Sequence, residues 1–347
     1  MYYFEKMKKI APEPVKNIFR NVRNSILVNS ALYVKYVDSV TLEVTSACNL
    51  HCPVCNIPNL KRAKGFMSLD DFKKIADKLP SRIKLMRMNF AGEPLLNRDV
   101  FKMIAYSKSV RPDIKIHIST NATRLDKFQP EEIINSGLDS IAIAIEGDTK
   151  QIHESYRRGS SFEAICRAAE NLCGYKKSVE AEKPVIIQQT LLHKASAPRI
   201  PEIVKLSRSI GFDELHLRFI SLPVTDSSSE YFKKRFSLTE EDVNTLNKKF
   251  ITTDEYSQYE VRNGKYFVKK ENKKCSAFTA PVIFWNGDVT ICCFDDEGDF
   301  VYGNILEENF DDIVKKMPVK NIYNRELPIC KYCTISSLGI DYDIIKL

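Results

Sequence analysis

Short β-branched and apolar runs alternate with longer segments of helical apolar spacing between residues 39 and 222. The six runs read SVTLEVT, IKLMRMNF, IKIHIST, SIAIAIE, PVIIQQTLL and ELHLRFI. One of the intervening segments is SLDDFKKIADKL, in which Ser68 is a predicted helix N-cap. Strands that alternate with helices pair in parallel through right-handed crossovers, and near-continuous apolar strands are buried. The pattern predicts an α/β domain, and periodicity alone does not decide whether its sheet closes.

The pattern changes on both sides of this region. Residues 1–38 scatter Lys and Arg among apolar residues, which predicts a helical extension that either packs outside the main domain or lies on a membrane or leader peptide. Residues 223–270 predict a polar linker with one helix, TEEDVNTLNKKF. Residues 271–347 predict a compact cysteine-bearing domain, in which PVIFWNGDVTICC forms a hairpin around Asn286 and Gly287.

Composition narrows the class of protein. A chain of 347 residues is long enough to bury a stable core without disulfide bonds. Its net charge of +7 is spread along the sequence, and no cluster of basic and aromatic residues predicts a nucleic-acid-binding surface. The apolar stretch SILVNSALYV is too short to span a membrane, and no secretory pattern precedes it. We therefore expect a cytoplasmic protein, in which thiols stay reduced. Ten cysteines then require a metal or catalytic explanation.

Three of the cysteines follow the first predicted strand with the spacing C-x3-C-x2-C. Cys48, Cys52 and Cys55 have no fourth cysteine nearby, whereas a structural zinc site takes four ligands, usually in two pairs. Three thiolates can hold three irons of a [4Fe-4S] cluster and leave the fourth iron open. A zinc loop is the alternative interpretation.

With this loop at the start of six strand–helix units, the chain resembles the radical S-adenosylmethionine (radical SAM) superfamily. The resemblance implies a partial (βα)6 TIM-like barrel with S-adenosylmethionine chelated to the open iron. It implies that reduction of the cluster, by a partner such as flavodoxin or ferredoxin, yields a 5′-deoxyadenosyl radical that abstracts a substrate hydrogen. The cofactor carries this chemistry, and the protein positions it and excludes water.

The segment FAGEPLLN, residues 90–97, resembles the family's Gly-Gly-Glu motif, whose backbone receives the methionine ammonium group. Ala91 replaces the first glycine and leaves Gly92, Glu93 and Pro94 as the matching core. In the segment ISTNAT, the resemblance makes Ser119 and Asn121 candidates for binding the ribose and carboxylate.

The segment YRRGSSF offers Arg157 or Arg158 as a partner for the cofactor's carboxylate, a role suited to a guanidinium group. Glu146 ends the fourth predicted strand and is expected at the barrel mouth, where active sites of such barrels lie. There it binds a substrate hydroxyl or ammonium group, or it caps the next helix.

A second group of cysteines near the C-terminus resembles the auxiliary-cluster extension of the family, called SPASM or, in its shorter form, twitch. Since no cysteine follows Cys333, the resemblance implies one auxiliary [4Fe-4S] cluster. Its expected ligands are Cys275, Cys292, Cys330 and Cys333. A four-thiolate zinc site has the same spacing and is the alternative. Cys166 and Cys173 lie in a helical pattern and are expected to be ordinary buried thiols.

The sequence leaves the reaction open among oxidation, cross-linking and epimerisation of a peptide or a sugar-like small molecule. Cys293, directly after Cys292, is a candidate hydrogen-atom donor for an epimerase, an alternative cluster ligand or a buried thiol. A non-enzymatic, zinc-stabilised binding protein is the competing class.

Overall fold

The computed structural model describes residues 33–220, 239–251, 259–263, 265–268, 275, 279–332 and 342–347. The predictions for residues 1–32, for most of the linker and for Cys333 lie outside this set.

Six parallel strands form the centre of the molecule and follow one another in chain order. They are β1 (Ser39–Leu42), β2 (Leu85–Arg87), β3 (Lys115–Thr120), β4 (Ser140–Ala144), β5 (Val185–Leu192) and β6 (Glu214–Phe219). Each lies within one of the six predicted runs. The sheet stays open among the described residues, so the predicted α/β partial barrel is confirmed.

Helices connect the consecutive parallel strands, one helix precedes β1 and three more lie beyond β6 in the described residues. They are α1 (Tyr33–Tyr36), α2 (Leu69–Lys78), α3 (Val100–Val110), α4 (Pro130–Asn135), α5 (Lys150–Tyr156), α6 (Phe162–Ser178), α7 (Ile200–Ile210), α8 (Glu240–Phe250), α9 (Phe310–Lys316) and α10 (Val319–Tyr323). The predicted cap at α2 is confirmed, because Ser68 Oγ accepts from the Asp71 amide at 3.0 Å. Across the described ranges, no helix combines the length and apolar character needed to cross a bilayer.

The two faces of the central sheet differ in polarity. Ile116 and Ile118 on β3 are fully buried in the main core, together with Phe72 of α2 and Phe101 of α3. His117, between the two isoleucines, must point to the opposite face because side chains alternate along a strand. The outer face of the sheet therefore packs on helices, and the inner face carries polar groups toward the barrel lumen.

The C-terminal segment adds strands to both edges of this sheet. The predicted hairpin forms from β9 (Val282–Ile283) and β10 (Asp288–Thr290), followed by β11 (Gly303–Asn304), and β9 pairs in parallel with β1. Gly287 closes the hairpin loop with φ +90°, which favours glycine. β12 (Tyr342–Lys346) pairs antiparallel with β6. β7 (Tyr259–Arg262) and β8 (Lys265–Val268) form a separate two-stranded sheet.

Candidate functional site

The loop that carries the first cysteine group leaves β1 at its carboxyl end and is closed at its base. Thr45 Oγ1 donates to the Gly65 carbonyl at 2.8 Å, and the Gly65 amide donates to Ser46 Oγ at 3.0 Å. Thr45 also forms a bridge with Phe66. The loop is thus pinned at its two ends, so its thiols are held at the edge where the parallel strands end.

The three thiols of this loop lie next to two polar side chains from other elements. Asn121 Nδ2 lies 3.8 Å from Cys48 Sγ, and Arg157 Nη1 lies 3.8 Å from Cys52 Sγ. Burial raises the pKa of Cys55 to about 12, and the neighbouring Cys52 and Cys48 add to this shift. The three sulfurs are thus close enough to influence one another, and none is in a disulfide.

Gly92 lies where the chain after β2 passes directly against the start of the cysteine loop. Its φ is +78°, and a Cβ at this position would lie 2.3 Å from the Thr45 carbonyl oxygen and 2.7 Å from that of Ala47. The Glu93 amide donates to the Ala47 carbonyl at 2.7 Å. Only glycine fits this close approach between the two segments.

The Glu93 carboxylate ties this segment to the end of β3. It accepts from the amides of Leu95 at 3.0 Å and Asn121 at 2.7 Å, and from the Thr120 hydroxyl. Burial raises the pKa of Glu93, while these donors oppose the shift. Glu93 thereby fixes Asn121, the residue that reaches Cys48. Pro94 starts the short helical turn Pro94–Leu96 that follows, and Ser119 is half-buried on the inner face of β3.

Arg157 follows α5 and forms a buried ion pair with Glu146. Arg157 Nε donates to Glu146 Oε1 at 2.7 Å, and Glu146 Oε2 accepts from the Leu191 amide at 2.6 Å. Glu146 is fully buried, and the pKa of Arg157 is raised by this carboxylate and by Cys52 against the opposing effect of burial.

The structure decides against one of the two alternatives for Glu146. The carboxylate does not cap the next helix, because Thr149 is the N-cap of α5. It is also held by Arg157 and Leu191, so it positions the guanidinium group, and its binding of a substrate hydroxyl or ammonium group stays a prediction. Of the arginine pair, Arg157 faces the thiols, while Arg158 is exposed and its carbonyl accepts from the His51 amide at 3.0 Å.

The described members of the second cysteine group lie in the C-terminal segment. Cys292 and Cys330 both lie near Tyr302, whose pKa is raised to about 12 by burial, with Asp295 and these two thiols adding to the shift. The Cys275 amide donates to the Tyr323 carbonyl at 2.8 Å. The ligand role of these cysteines stays a prediction.

The residues after Cys292 differ in their surroundings. Cys293 is exposed, so its interpretation as a buried packing thiol is wrong. Asp295 is fully buried and accepts from Thr290 Oγ1 at 2.8 Å and the Asp299 amide at 2.8 Å, which makes it part of the turn. The Asp296 carboxylate accepts from Asn56 Nδ2 at 3.2 Å, and burial raises the pKa of Asp296 to about 7.

Sequence reasoning missed a charged junction between the two cysteine-bearing segments. Arg62 Nη1 donates to the buried Glu43 carboxylate at 2.9 Å, and its guanidinium group lies 4.3 Å from the centre of the Phe284 ring. The Glu297 carboxylate accepts from the amides of Lys61 at 3.0 Å and Arg62 at 3.2 Å. These partners are widely separated in the sequence, so local patterns do not predict their pairing. The only sequence signal is the presence of charged residues near both groups of cysteines.

The donor set fits an iron–sulfur cluster with a bound amino-acid group. Metal coordination can deprotonate the three thiols on the closed loop. Because Gly92 has no side chain, the backbone atoms where it packs against the loop are unobstructed. In the part of the chain that the structure describes, no three His, Cys, Asp or Glu side chains converge to hold a single metal ion.

Family models match both cysteine-bearing regions. The one described as the radical SAM superfamily matches residues 42–207, and the one described as an iron-sulfur cluster-binding domain, SPASM, matches residues 275–334. The chain belongs to the radical SAM superfamily. The predicted family, its C-terminal extension and the general cofactor class, iron–sulfur clusters with S-adenosylmethionine, are thereby confirmed.

Among curated relatives, the radical SAM chain is 30% identical over 134 residues to the mycofactocin maturase MftC of Mycobacterium ulcerans, covering 38% of this chain and 36% of the relative. It is 24% identical over 181 residues to a PqqA peptide cyclase of Rhodopseudomonas palustris, covering 52% of this chain and 46% of the relative. The chain thus spans less than half of either relative. Both names denote enzymes, so at the level of the family the expectation of an enzyme is confirmed.

A solved structure shows the same fold. The SuiB protein of Streptococcus suis, bound to its precursor peptide SuiA, superposes with a TM-score of 0.57 and is 16% identical in sequence. The match covers 85% of this chain and 69% of SuiB.

Proposed function

We propose that this protein is a radical SAM enzyme that modifies a peptide substrate. The observation that carries the proposal is the closed loop of three thiols, with Arg157 and Asn121 each 3.8 Å from a sulfur and the glycine approach of Gly92 beside it. When bound, the [4Fe-4S] cluster supplies an electron that cleaves S-adenosylmethionine to a 5′-deoxyadenosyl radical, which abstracts a substrate hydrogen.

Different residues of this chain bind the cluster and the separate groups of S-adenosylmethionine. Cys48, Cys52 and Cys55 hold the cluster, and the backbone around Gly92 and Pro94 receives the methionine ammonium group. Ser119 and Asn121 bind the ribose and carboxylate. Arg157 faces the carboxylate because Glu146 holds its guanidinium group in place.

One auxiliary [4Fe-4S] cluster, held by Cys275, Cys292, Cys330 and Cys333, completes the proposal. These four thiolates would hold a cluster that can take up one electron from an oxidised substrate or orient the substrate. A flavodoxin or ferredoxin supplies the electron to the first cluster. We also propose domain boundaries after residues 38, 222 and 270, which separate the N-terminal helical extension, the partial barrel, the linker and the C-terminal cysteine-bearing domain.

A peptide substrate is supported by the relatives. One of them is named a peptide cyclase, and SuiB was solved with a precursor peptide. Anaerobic incubation with dithionite and S-adenosylmethionine tests the proposal. We expect 5′-deoxyadenosine from the wild-type protein, and a colourless, zinc-containing protein without this product would contradict it.

An epimerase is the second candidate, and the exposure of Cys293 favours it. The Cys293 thiol would donate a hydrogen atom to the substrate radical from the face opposite the abstraction, so that a C–H bond forms and the S–H bond breaks. The thiyl radical left on Cys293 would return to the thiol by taking one electron from the flavodoxin or ferredoxin and a proton from solvent. Replacing Cys293 by Ser would then leave formation of 5′-deoxyadenosine intact and stop deuterium incorporation from solvent into the peptide. An unchanged incorporation would exclude this role.

A further inference from the structure

A cavity of about 610 Å³ opens between the segment that follows β2 and the segment that follows β3. Leu95, Leu96 and Phe128 form its apolar part. Its charged lining residues, all of them exposed, are Arg98, Lys102, Arg124, Lys127 and Glu132. The lining thus carries four positive side chains and one negative one, and no step of the proposed function uses them.

The two arginines of this lining differ from the two lysines in their partners. Each lysine is paired with an exposed carboxylate, that of Asp99 at 2.8 Å or that of Asp126 at 3.0 Å. Arg98 and Arg124 form no ion pair with a carboxylate of the described residues. A guanidinium group matches the two oxygens of a carboxylate, and exposed lysine pairs are weak. The cavity therefore suits a partner that brings carboxylates to the arginines.

The walls of this cavity are connected to the cysteine loop. Arg124 follows Thr123, whose hydroxyl oxygen accepts from Asn49 Nδ2, within the cysteine loop, at 2.8 Å. On the opposite wall, the Leu95 amide donates to the Glu93 carboxylate at 3.0 Å. The same carboxylate holds the asparagine that reaches the first thiol of the loop. A partner in the cavity therefore contacts residues that adjoin the cysteine loop.

The cavity opens on the outer side of the barrel. Leu95 and Phe128, which form part of its wall, belong to the main core between the sheet and its helices. A substrate that reacts in the lumen does not need this outer surface. A partner that delivers electrons does, because it has to approach the cysteine loop without entering the lumen. The position of the cavity therefore favours an electron donor over a substrate as its occupant.

We propose that this cavity is the docking surface for an acidic one-electron carrier protein. Carboxylates of the carrier pair with Arg98 and Arg124, and an apolar side chain of the carrier contacts Leu96 and Phe128. The inference rests on the proposed function, because that function needs an electron at the first cluster. In the docked pair the carrier is oxidised by one electron and the cluster is reduced by one electron, and no covalent bond forms or breaks.

Calorimetric titration of the anaerobically reconstituted protein tests the inference without turnover. The probes are an acidic flavodoxin and an acidic ferredoxin, each in its oxidised form. We expect binding of at least one carrier, weakened by about tenfold between about 50 and about 300 mM salt, because salt screens the attraction. Replacing both Arg98 and Arg124 by Gln should weaken binding by about tenfold or more. The inference is overturned when neither carrier binds, or when wild type and double variant bind equally.

Matched variants localise the surface. Arg208→Gln removes an exposed arginine of α7 and should leave carrier binding unchanged, whereas Glu132→Gln removes the carboxylate of the cavity and should strengthen it. A loss in Arg208→Gln as large as that in the double variant would overturn the location. A tetraglutamate peptide that binds in place of either carrier would assign the cavity to an acidic peptide and overturn the inference. Melting curves report folding, and Arg98→Gln and Arg124→Gln singly provide the test if the double variant does not fold.

The choice of reductant separates this inference from the proposed function. Dithionite is small and needs no docking surface, so the double variant should form 5′-deoxyadenosine with dithionite at the wild-type rate and about tenfold more slowly with the carrier. Equal slowing with both reductants would overturn the docking role. Product formation with dithionite in a protein that binds no carrier leaves the radical function standing and removes the docking surface. Carrier binding that depends on the arginines, in a protein that never cleaves S-adenosylmethionine, has the opposite meaning.

Discussion

Glu146 holds Arg157 in place at the cysteine loop, with Arg157 Nε donating to Glu146 Oε1 at 2.7 Å. The carboxylate is fully buried, and the same guanidinium group reaches Cys52 Sγ at 3.8 Å. A charge buried beside three thiols is stable only because its counter-charge is buried with it. The pair therefore links the fourth strand of the barrel to the cluster site.

Replacing Glu146 by Gln should destabilise the protein and weaken binding of S-adenosylmethionine. Removing one partner of a buried ion pair costs about 3 kcal/mol or more, since the other charge stays buried without compensation. Thermal unfolding and equilibrium binding of the cofactor measure the two effects. Glu163→Gln is the control, because the Glu163–Lys150 pair is exposed, and its melting temperature should stay near that of wild type. Equal melting curves for the two variants would contradict the positioning role.

Replacing Gly92 by Ala should disrupt the contact between the segment after β2 and the cysteine loop. The new Cβ would lie 2.3 Å from the Thr45 carbonyl, in a backbone conformation with φ +78°. We expect a lower melting temperature and loss of cofactor binding. Gly174→Ala on α6 has open space and should raise stability by about 0.5–1 kcal/mol. A Gly92→Ala protein that binds S-adenosylmethionine normally would contradict the close approach.

His193 should make the protein less stable as the pH falls. It is packed against Tyr156 and Phe250, and burial lowers its pKa from 6.5 to about 4. Below pH 6.5 the His193 side chain therefore binds a proton in the unfolded chain but stays neutral in the folded protein. This difference lowers the free energy of unfolding by about 2 kcal/mol by pH 5.

The variant His193→Asn tests this pH dependence. Asn keeps an acceptor for the Ala195 amide, which donates to His193 Nδ1 at 3.3 Å, but it does not titrate. The variant should be less stable at neutral pH, because it loses ring packing, and its melting temperature should fall less between about pH 7.5 and about pH 5. Parallel pH curves for wild type and variant would show that His193 does not contribute.

Replacing Glu297 by Ala should loosen the junction between the two cysteine-bearing segments. The carboxylate accepts from the amides of Lys61 and Arg62, and hydrogen bonds to a charged acceptor are among the stronger ones. Hydrogen exchange at these two amides should accelerate by about tenfold. Glu307→Ala, at an exposed position of the same domain, should leave the exchange unchanged. Unchanged exchange in both variants would mean that the junction is held elsewhere.

Local sequence patterns predicted the central strands because burial on a parallel sheet leaves near-continuous apolar runs. The N-cap at Ser68 and the hairpin at Gly287 are equally local and were also predicted. The pairing of β9 with β1 joins Val282 to Thr41. A contact across such a distance in the chain leaves no mark on either segment's periodicity, so the extension of the sheet could not be predicted.

In the candidate site, too, local features could be predicted from the sequence and long-range contacts could not. The cysteine spacing and the position of Glu146 after β4 are visible in the sequence, because strand ends place residues at one edge of the sheet. Which partner Glu146 takes depends on how α5 returns to that edge, and the sequence alone left it open. The junction of Arg62 with Glu43 depends likewise on how segments that are separate in the sequence pack together.

The most direct test of the radical SAM function compares wild-type protein with a variant carrying Ala at Cys48, Cys52 and Cys55. Both are reconstituted anaerobically with iron and sulfide, counted for iron and assayed for 5′-deoxyadenosine after reduction. We predict about eight irons and product formation in wild type, and about four irons without product in the variant. A wild-type protein that stays free of iron, or a variant that still cleaves S-adenosylmethionine, would contradict the account.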